Sequence, residues 1–263
     1  MKLKTGIPLL IDFDGVIRIG KNVAEDAGEF FQFLSDKNIP ACILSNSTLR
    51  NGKDIKKILS DHNIKCNIPA LTCADASLNY VKENYKNIAV FASDSTEKMF
   101  SELTASRKDF LTNEHPEAVL VGDMSVKWSY ENLNQIFRLV YDGADFIAMQ
   151  KNKYWSPDDE NLFLDAGAFI SAIEYATSKE AKLIGKPSSI FYHSGLKALG
   201  FSENSEFIMI GDDIETDIDG AQKIGGKGIL IYTGKTKYPL PEDCKIKPFA
   251  EIHSLVEIKT FLN

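Results

Sequence analysis

The run Ile7-Pro8-Leu9-Leu10-Ile11, followed by Asp12-Phe13-Asp14-Gly15, constrains this chain more than any other stretch. A short apolar run without polar alternation predicts a strand buried on both faces, as in a parallel sheet flanked by helices. Such a strand delivers its carboxyl end into the crevice where α/β proteins bind ligands. Here that end carries two carboxylates two residues apart, and Gly15 marks a turn. Like charges held close raise each other's pKa unless a cation or a shared proton separates them. The pair therefore predicts a bound divalent metal or a protonated acid, with a solvated acidic loop as the plain alternative.

The following residues extend the pattern. Asp26 to Lys37 spaces Ala27, Phe30, Phe31 and Leu34 three and four apart, which predicts an amphipathic helix. After Pro40, Ala41 to Leu44 is a second buried strand ending in Ser45-Asn46-Ser47-Thr48, and Arg50 to Asn63 is a second helix. This βαβα opening calls for an α/β fold with a doubly wound parallel sheet. The middle of the chain has shorter alternating elements: strands at Asn87 to Phe91, Ala118 to Val121 and Phe146 to Met149, and helices at Tyr130 to Asp142 and Ala166 to Ser178. A polar loop, Gln150 to Asp159, holds Tyr154 and Trp155, read as anchors of loop or core rather than as pocket lining. Leu183-Ile184 then leads into Gly185-Lys186-Pro187, and Ser189 to Leu199 is helical. Glu206 to Ile210 is a strand delivering Gly211-Asp212-Asp213, with Asp217 beyond. Gly228 to Tyr232 makes the last strand and Ile252 to Leu262 a closing helix.

Spacing suggests the domain organisation. Asp12 and Ser45 are 33 positions apart, about one strand-helix-strand unit, and Lys186 and Asp212 are 26 apart. Ser45 and Lys186 are 141 apart, which predicts an insertion. The expected arrangement is a core of residues 1–73 and 183–263 interrupted by an insert at 74–182.

Composition narrows the function classes. A chain of 263 residues with 44% hydrophobic and 25% charged residues is an ordinary globular protein. No apolar run reaches spanning length, and Met1-Lys2-Leu3-Lys4 leads into a run broken by Asp12, so neither a membrane span nor a signal peptide is expected. Cys42, Cys66, Cys73 and Cys244 show no CxxC spacing and read as reduced thiols of a cytoplasmic protein. His62, His115, His193 and His253 form no spaced cluster. A net charge of −7 without a basic stretch argues against nucleic-acid binding. An anionic substrate would then need a local positive device, a cation or a lysine.

Four strand ends thus supply, in order, an acid pair, Ser45-Asn46, Lys186, and Asp212 with Asp217. Each is common alone; the order and spacing together are not. Ile11-Asp12-Phe13-Asp14-Gly15-Val16-Ile17, Leu44-Ser45-Asn46, Gly185-Lys186-Pro187, and Gly211-Asp212-Asp213 followed by Thr216-Asp217 resemble the four motifs of the haloacid dehalogenase superfamily of phosphotransferases. The long insert resembles the cap of its NagD-like (class IIA) branch. Asp145-Phe146-Ile147-Ala148, Lys153-Tyr154-Trp155, Gly167-Ala168-Phe169 and Thr233-Gly234-Lys235 further resemble the subgroup that includes the phospholysine phosphohistidine inorganic pyrophosphate phosphatase. The resemblance runs from Ile7 to Lys235.

What it implies is a Rossmann-like core with an inserted α/β cap, acting as a Mg²⁺-dependent phosphatase of small phosphorylated metabolites, with pyrophosphate among the candidate substrates. By the resemblance Asp12 is the nucleophile that becomes an aspartyl-phosphate, and Asp14 protonates the leaving group and then activates water. Lys186 neutralises charge on the transferring group. Ser45 and Asn46 hold phosphoryl oxygens at the start of a helix. Mg²⁺ is held by Asp12, Asp212 and the backbone carbonyl of Asp14, while Asp213 and Asp217 orient bound water or Lys186 from behind. The cap closes around substrate and, in relatives, mediates homodimers.

Two features depart from the usual pattern. Arg18 stands where many relatives have an aromatic or aliphatic residue, making the entrance more cationic, and the loop Ser156 to Asn161 is more acidic than its counterparts. Among rival functions, Gly234-Lys235-Thr236 suggests a P-loop, but the glycine required five residues earlier is Ile229. A receiver-like signalling domain shares the acid pair, hydroxyl and lysine, yet carries its phospho-acceptor on a later strand and has no large insert. A relative that binds metal and phosphate without turnover is the remaining alternative, and an intact set of four motifs argues against it.

Overall fold

The computed structural model describes residues 6–104, 115–155 and 161–262. The chain divides into two compact units, Met1–Ser45 with Gly52–Leu71 and Lys186–Asn263, and Asn46–Asn51 with Thr72–Gly185.

The first unit is built on a six-stranded sheet in the order Ala250–Ile252, Lys227–Ile231, Ile208–Gly211, Leu9–Asp12, Ala41–Ser45, Ala70–Thr72. The pairings joining the first five are parallel. The opening apolar run forms a central strand, buried over all four residues Leu9–Asp12. One face of that sheet packs Leu9, Ile11, Ile43, Ile208, Ile210, Ile229 and Ile231 against Ala27, Phe30, Phe31 and Leu34 of the helix Ala27–Asp36. On the other, Gly195 in the helix Ser189–Ala198 lies so near the sheet that a Cβ there would stand 2.9 Å from Leu10 Cδ2.

Register decides what this sheet presents. Ile11 is level with both Ile210 and Ile43, and Asp12 with Leu44. The acidic end of the first strand, Ser45, and Gly211-Asp212 therefore emerge together at one carboxyl edge. Strand order also reverses there, since successive connections run to opposite sides of Leu9–Asp12, and ligands of open α/β sheets bind at such points.

The closing helix read over Ile252 to Leu262 is divided. Ala250–Ile252 adds an edge strand beside Ile229–Ile231, followed by a tight turn at Leu255–Ile258 and a short helix, Lys259–Leu262. Backbone pairing with a neighbouring strand overrides a helical apolar spacing here.

The second unit holds a four-stranded parallel sheet, Lys182–Leu183, Asp145–Ala148, Ala118–Val121, Ile88–Phe91. Its core joins Phe91, Val119, Val121 and Phe146 to Ile136 and Val140 of the helix Tyr130–Tyr141 and Ile170 of the helix Ala166–Thr177. A further helix, Cys73–Asn84, has no apolar stripe to betray it, since it buries Cys73, Ala74, Ala76, Ser77 and Val81. Its start is fixed by a reciprocal cap in which the Thr72 side chain meets the Asp75 N–H and the Asp75 carboxylate meets the Thr72 N–H. Tyr154 and Trp155 are not core residues. They form a two-residue strand antiparallel to Phe163–Leu164, Trp155 stacking on Phe163 while about half exposed. Residues 156–160 of the acidic loop lie outside the described residues.

The fold is thus the doubly wound α/β core with a second α/β unit inserted, as expected from the motifs. Among the described residues no helix is long and apolar enough to cross a membrane, and all four cysteines are free thiols.

Candidate active site

Asp12 ends the central strand and is 7% exposed. Its Oδ1 accepts a hydrogen bond from the Phe13 N–H at 2.7 Å and faces Lys186 Nζ, also at 2.7 Å. The same ammonium stands 2.8 Å from Asp217 Oδ1. Lys186 is 2% exposed, so a buried cation sits between two buried carboxylates. Oxygens of Asp12, Asp212 and Asp217 come within 4.8 Å of one another. Three carboxylates against one ammonium leave an excess of negative charge in a dry place. The donor set is oxygen alone, which fits a hard divalent cation and not a soft one.

The electrostatics express that excess. Burial pushes the Asp12 carboxyl well above its ordinary range; Lys186 pulls it down, and Asp217 and Asp212 push it up again. Asp212 is raised to about 6, by burial first and then by Asp217. Asp217 is raised by burial, against the pull of Lys186. For Lys186 burial works downward, but the carboxylates of Asp12 and Asp217 outweigh it and hold the proton on more firmly than usual. Below about pH 6 a divalent cation entering this cluster competes with a proton on Asp212, so its affinity is expected to rise as pH passes upward through about 6. Calorimetric titration with magnesium at about pH 5 and about pH 7.5 checks this, equal affinities contradicting it.

Asp14 faces elsewhere. Gly15 turns the chain at a φ of +88°, and the small hairpin of Arg18–Ile19 with Asn22–Val23 follows. Arg18 Nε donates to Asp14 Oδ1 at 2.7 Å, and Ser45 Oγ donates to Asp14 Oδ2 at 3.2 Å. The charge of Arg18 is thus placed on Asp14 rather than left to make an entrance cationic. Ser45 ends its strand, but the next helix, Gly52–Asp61, begins only after Asn46–Asn51. The expectation that Ser45 and Asn46 open a helix is therefore corrected: the Ser45 hydroxyl meets a carboxylate, not a helix terminus. Asn46 belongs to the second unit, where its carbonyl oxygen accepts from the Cys73 thiol at 3.0 Å.

Asp213 is a turn cap. Its Oδ1 accepts from the N–H groups of Glu215 and Thr216 at 2.9 and 3.2 Å, and its Oδ2 is paired with Lys235. Burial alone would raise its pKa, yet Lys235 and these N–H groups bring it below the ordinary value. The wide helical turn Ile214–Asp219 folds Asp217 back over the strand end, where its Oδ2 accepts from the Asp213 N–H at 3.1 Å. Gly211 permits the approach, since a Cβ there would lie 2.3 Å from the Asp217 carboxylate.

The first unit therefore brings Asp12, Asp14, Ser45, Lys186, Asp212, Asp213 and Asp217 to one edge. The carboxylate cluster holds Asp12 and Asp212, both expected as metal ligands, together with Asp217, expected only to orient bound water or Lys186; the Asp14 side chain is turned to Arg18 and Ser45. Sequence reasoning assigned no role to Thr233 or Lys235. Thr233 Oγ1 donates to the Gly15 carbonyl at 2.6 Å and the Lys235 N–H to Asp212 Oδ2 at 2.6 Å. Their signal was available: a small polar turn directly after an apolar strand, as at Ser45 and Asp212.

Two stretches of the chain match known protein families. Residues 9–105, which include Asp12, Asp14, Ser45 and Asn46, match the family described as haloacid dehalogenase-like hydrolase. Residues 183–258, with Lys186, Asp212 and Asp217, match one described as HAD-hydrolase-like. Haloacid dehalogenase-like hydrolase domain-containing protein 2 of Mus musculus is 31% identical over 241 residues, covering 91% of this chain and 88% of that protein. The chain belongs to the haloacid dehalogenase-like hydrolases. This hydrolase is also 35% identical over 138 residues to the phospholysine phosphohistidine inorganic pyrophosphate phosphatase of Danio rerio, a match covering 52% of this chain and 50% of that protein. NagD from E. coli K-12, 21% identical, shares the fold with a TM-score of 0.81 over 97% of this chain and 99% of that one. NagD thus has the fold that the long insert leads us to expect.

Proposed function

We propose that this phosphoric ester hydrolase releases phosphate from small phosphorylated metabolites through an aspartyl-phosphate at Asp12, with Mg²⁺ as cofactor and the second unit as its cap. One observation carries the reading: the Lys186 ammonium, buried at 2.7 Å from Asp12 and 2.8 Å from Asp217, at the strand edge that also carries Asp14 and Asp212.

The chemistry begins with a repulsion, because an ionised Asp12 must approach an anionic phosphoryl group. Lys186 answers from the protein side. Held by Asp217, it fixes the Asp12 carboxylate and offers positive charge to the group being transferred. Asp12, Asp212 and the Asp14 carbonyl would hold Mg²⁺, which when bound supplies the remaining positive charge for the phosphoryl oxygens. Asp12 then attacks phosphorus. The Ser45 hydroxyl, which donates to Asp14, would turn toward a phosphoryl oxygen in the complex. Asp14 gives its proton to the leaving oxygen and later takes one from water, roles that require it to part from Arg18. A cytoplasmic setting agrees with the four free thiols.

Purified protein with magnesium and a chromogenic aryl phosphate is expected to release phosphate, and chelation is expected to stop it. Release that survives chelation would remove the metal from the mechanism, and binding of phosphate without any release would leave a non-catalytic metal- and phosphate-binding protein. A screen of metabolite phosphates, pyrophosphate and phosphoamino acids would identify the substrate.

A further inference from the structure

We infer that the loop Thr233–Thr236 is a positioning clamp that holds the Asp212 carboxylate in a slot between Gly15 and Gly234, setting it for the divalent cation. The inference rests on the metal assignment proposed above and extends it to residues that carry no ligand atom themselves.

The slot is defined from both sides. A Cβ on Gly15 would lie 2.3 Å from Asp212 Oδ2, and one on Gly234 would lie 2.0 Å from the same oxygen and 2.9 Å from Gly15 Cα. Neither position accepts a side chain while the carboxylate stays where it is. Two hydrogen bonds latch the walls together: Thr233 Oγ1 to the Gly15 carbonyl at 2.6 Å, and the Lys235 N–H to Asp212 Oδ2 at 2.6 Å. Two more tie the loop to the backbone on either side of Asp213, the Thr236 N–H to the Asp212 carbonyl and the Ile214 N–H to Thr236 Oγ1, both at 3.0 Å. The Lys235 ammonium pairs with Asp213 beside them.

One short loop therefore joins two strand ends far apart in sequence, the turn after Asp12 and the Asp212 strand end. It commits one carboxylate oxygen, Oδ2, to a fixed backbone donor, so the group keeps a single orientation. Carboxylates that ligate metals depend on such outside hydrogen bonds for their aim.

The test compares Thr233→Val, Thr233→Ser and Gly234→Ala with the wild type. Magnesium affinity is measured by calorimetry on metal-free protein, melting temperature in chelator, and turnover of an aryl phosphate at limiting and saturating magnesium. Thr233→Val is expected to bind magnesium about tenfold more weakly and Gly234→Ala about a hundredfold. Thr233→Ser is expected to bind like the wild type, because it keeps the hydroxyl. The melting temperature of Thr233→Val in chelator should stay at the wild-type value, and saturating magnesium should restore its kcat.

A merely structural loop would lower the melting temperature and leave affinity alone. Thr233→Val binding magnesium as the wild type does overturns the clamp, even if Gly234→Ala fails to fold, and so does a wild type that binds no magnesium. Should the wild type bind magnesium, lose affinity in the variants and release phosphate from no ester, the proposed function fails while the clamp stands. Wild-type turnover with unchanged affinity in folded variants overturns the clamp and leaves the proposed function in place.

Discussion

Replacing Asp12 by asparagine is expected to end phosphate release, a loss of about 10⁴-fold or more at any magnesium concentration. The amide keeps the shape of the carboxylate and an oxygen for the Phe13 N–H and Lys186, but that oxygen is no nucleophile toward phosphorus. Lys186 keeps its second partner, Asp217, at 2.8 Å. Burial holds the Asp12 carboxyl well above its usual range, so the substitution removes a charge the site does not favour. The metal-free variant is therefore expected to melt no lower than the wild type, which separates lost chemistry from lost fold. Activity surviving in a folded Asp12→Asn protein would move the nucleophile elsewhere.

Lys186→Met is expected to fail in both respects. The side chain keeps its length, but Asp12, Asp212 and Asp217 are left buried with no cation among them. Removing one partner of a buried ion pair typically costs about 3–5 kcal/mol. Turnover should fall about 10²–10³-fold as well, the usual scale for losing one preorganised donor.

The pH dependence has a definite sign. Without the ammonium, the Asp12 and Asp217 carboxyls lose the partner that opposes their rise, so the folded chain keeps protons that the unfolded chain has already released. A state that binds more protons loses stability as pH rises. The melting-temperature deficit of Lys186→Met against wild type should thus be larger at about pH 8 than at about pH 5, with calorimetric or optical melting as the readout. A deficit independent of pH would mean that Lys186 does not offset these carboxylates.

Much of this site was legible in the sequence because its residues stand at strand ends, and buried parallel strands announce themselves as short apolar runs. Leu9–Asp12, Ala41–Ser45 and Ile208–Gly211 were each read to within two residues, and parallel register then carried their polar ends to one edge. Less legible were features that depend on where a side chain turns. Asp14 and Arg18 sit four apart around a glycine turn, and nothing in the spacing says that the guanidinium closes on that carboxylate. The sequence reads Asp217 as a support behind the expected metal ligands, yet the wide turn Ile214–Asp219 brings its carboxylate among the candidate ligand oxygens. The Cys73–Asn84 helix escaped because small residues line its buried face, and the edge strand Ala250–Ile252 because three residues carry no period. Thr233 and Lys235 act on residues more than twenty positions away, through a backbone N–H and a hydroxyl whose direction only the fold supplies.

The covalent step itself offers the most direct test. Asp14→Asn should slow hydrolysis of the intermediate, so mixing that variant with a reactive aryl phosphate and magnesium, quenching in acid and mapping the peptides by mass spectrometry should find one phosphoryl group. The expected site is Asp12, and borohydride reduction before digestion should convert that residue to homoserine. Phosphate on any other residue, or turnover of wild-type protein with no trapped phosphoryl group in either chain, would contradict Asp12 as the nucleophile.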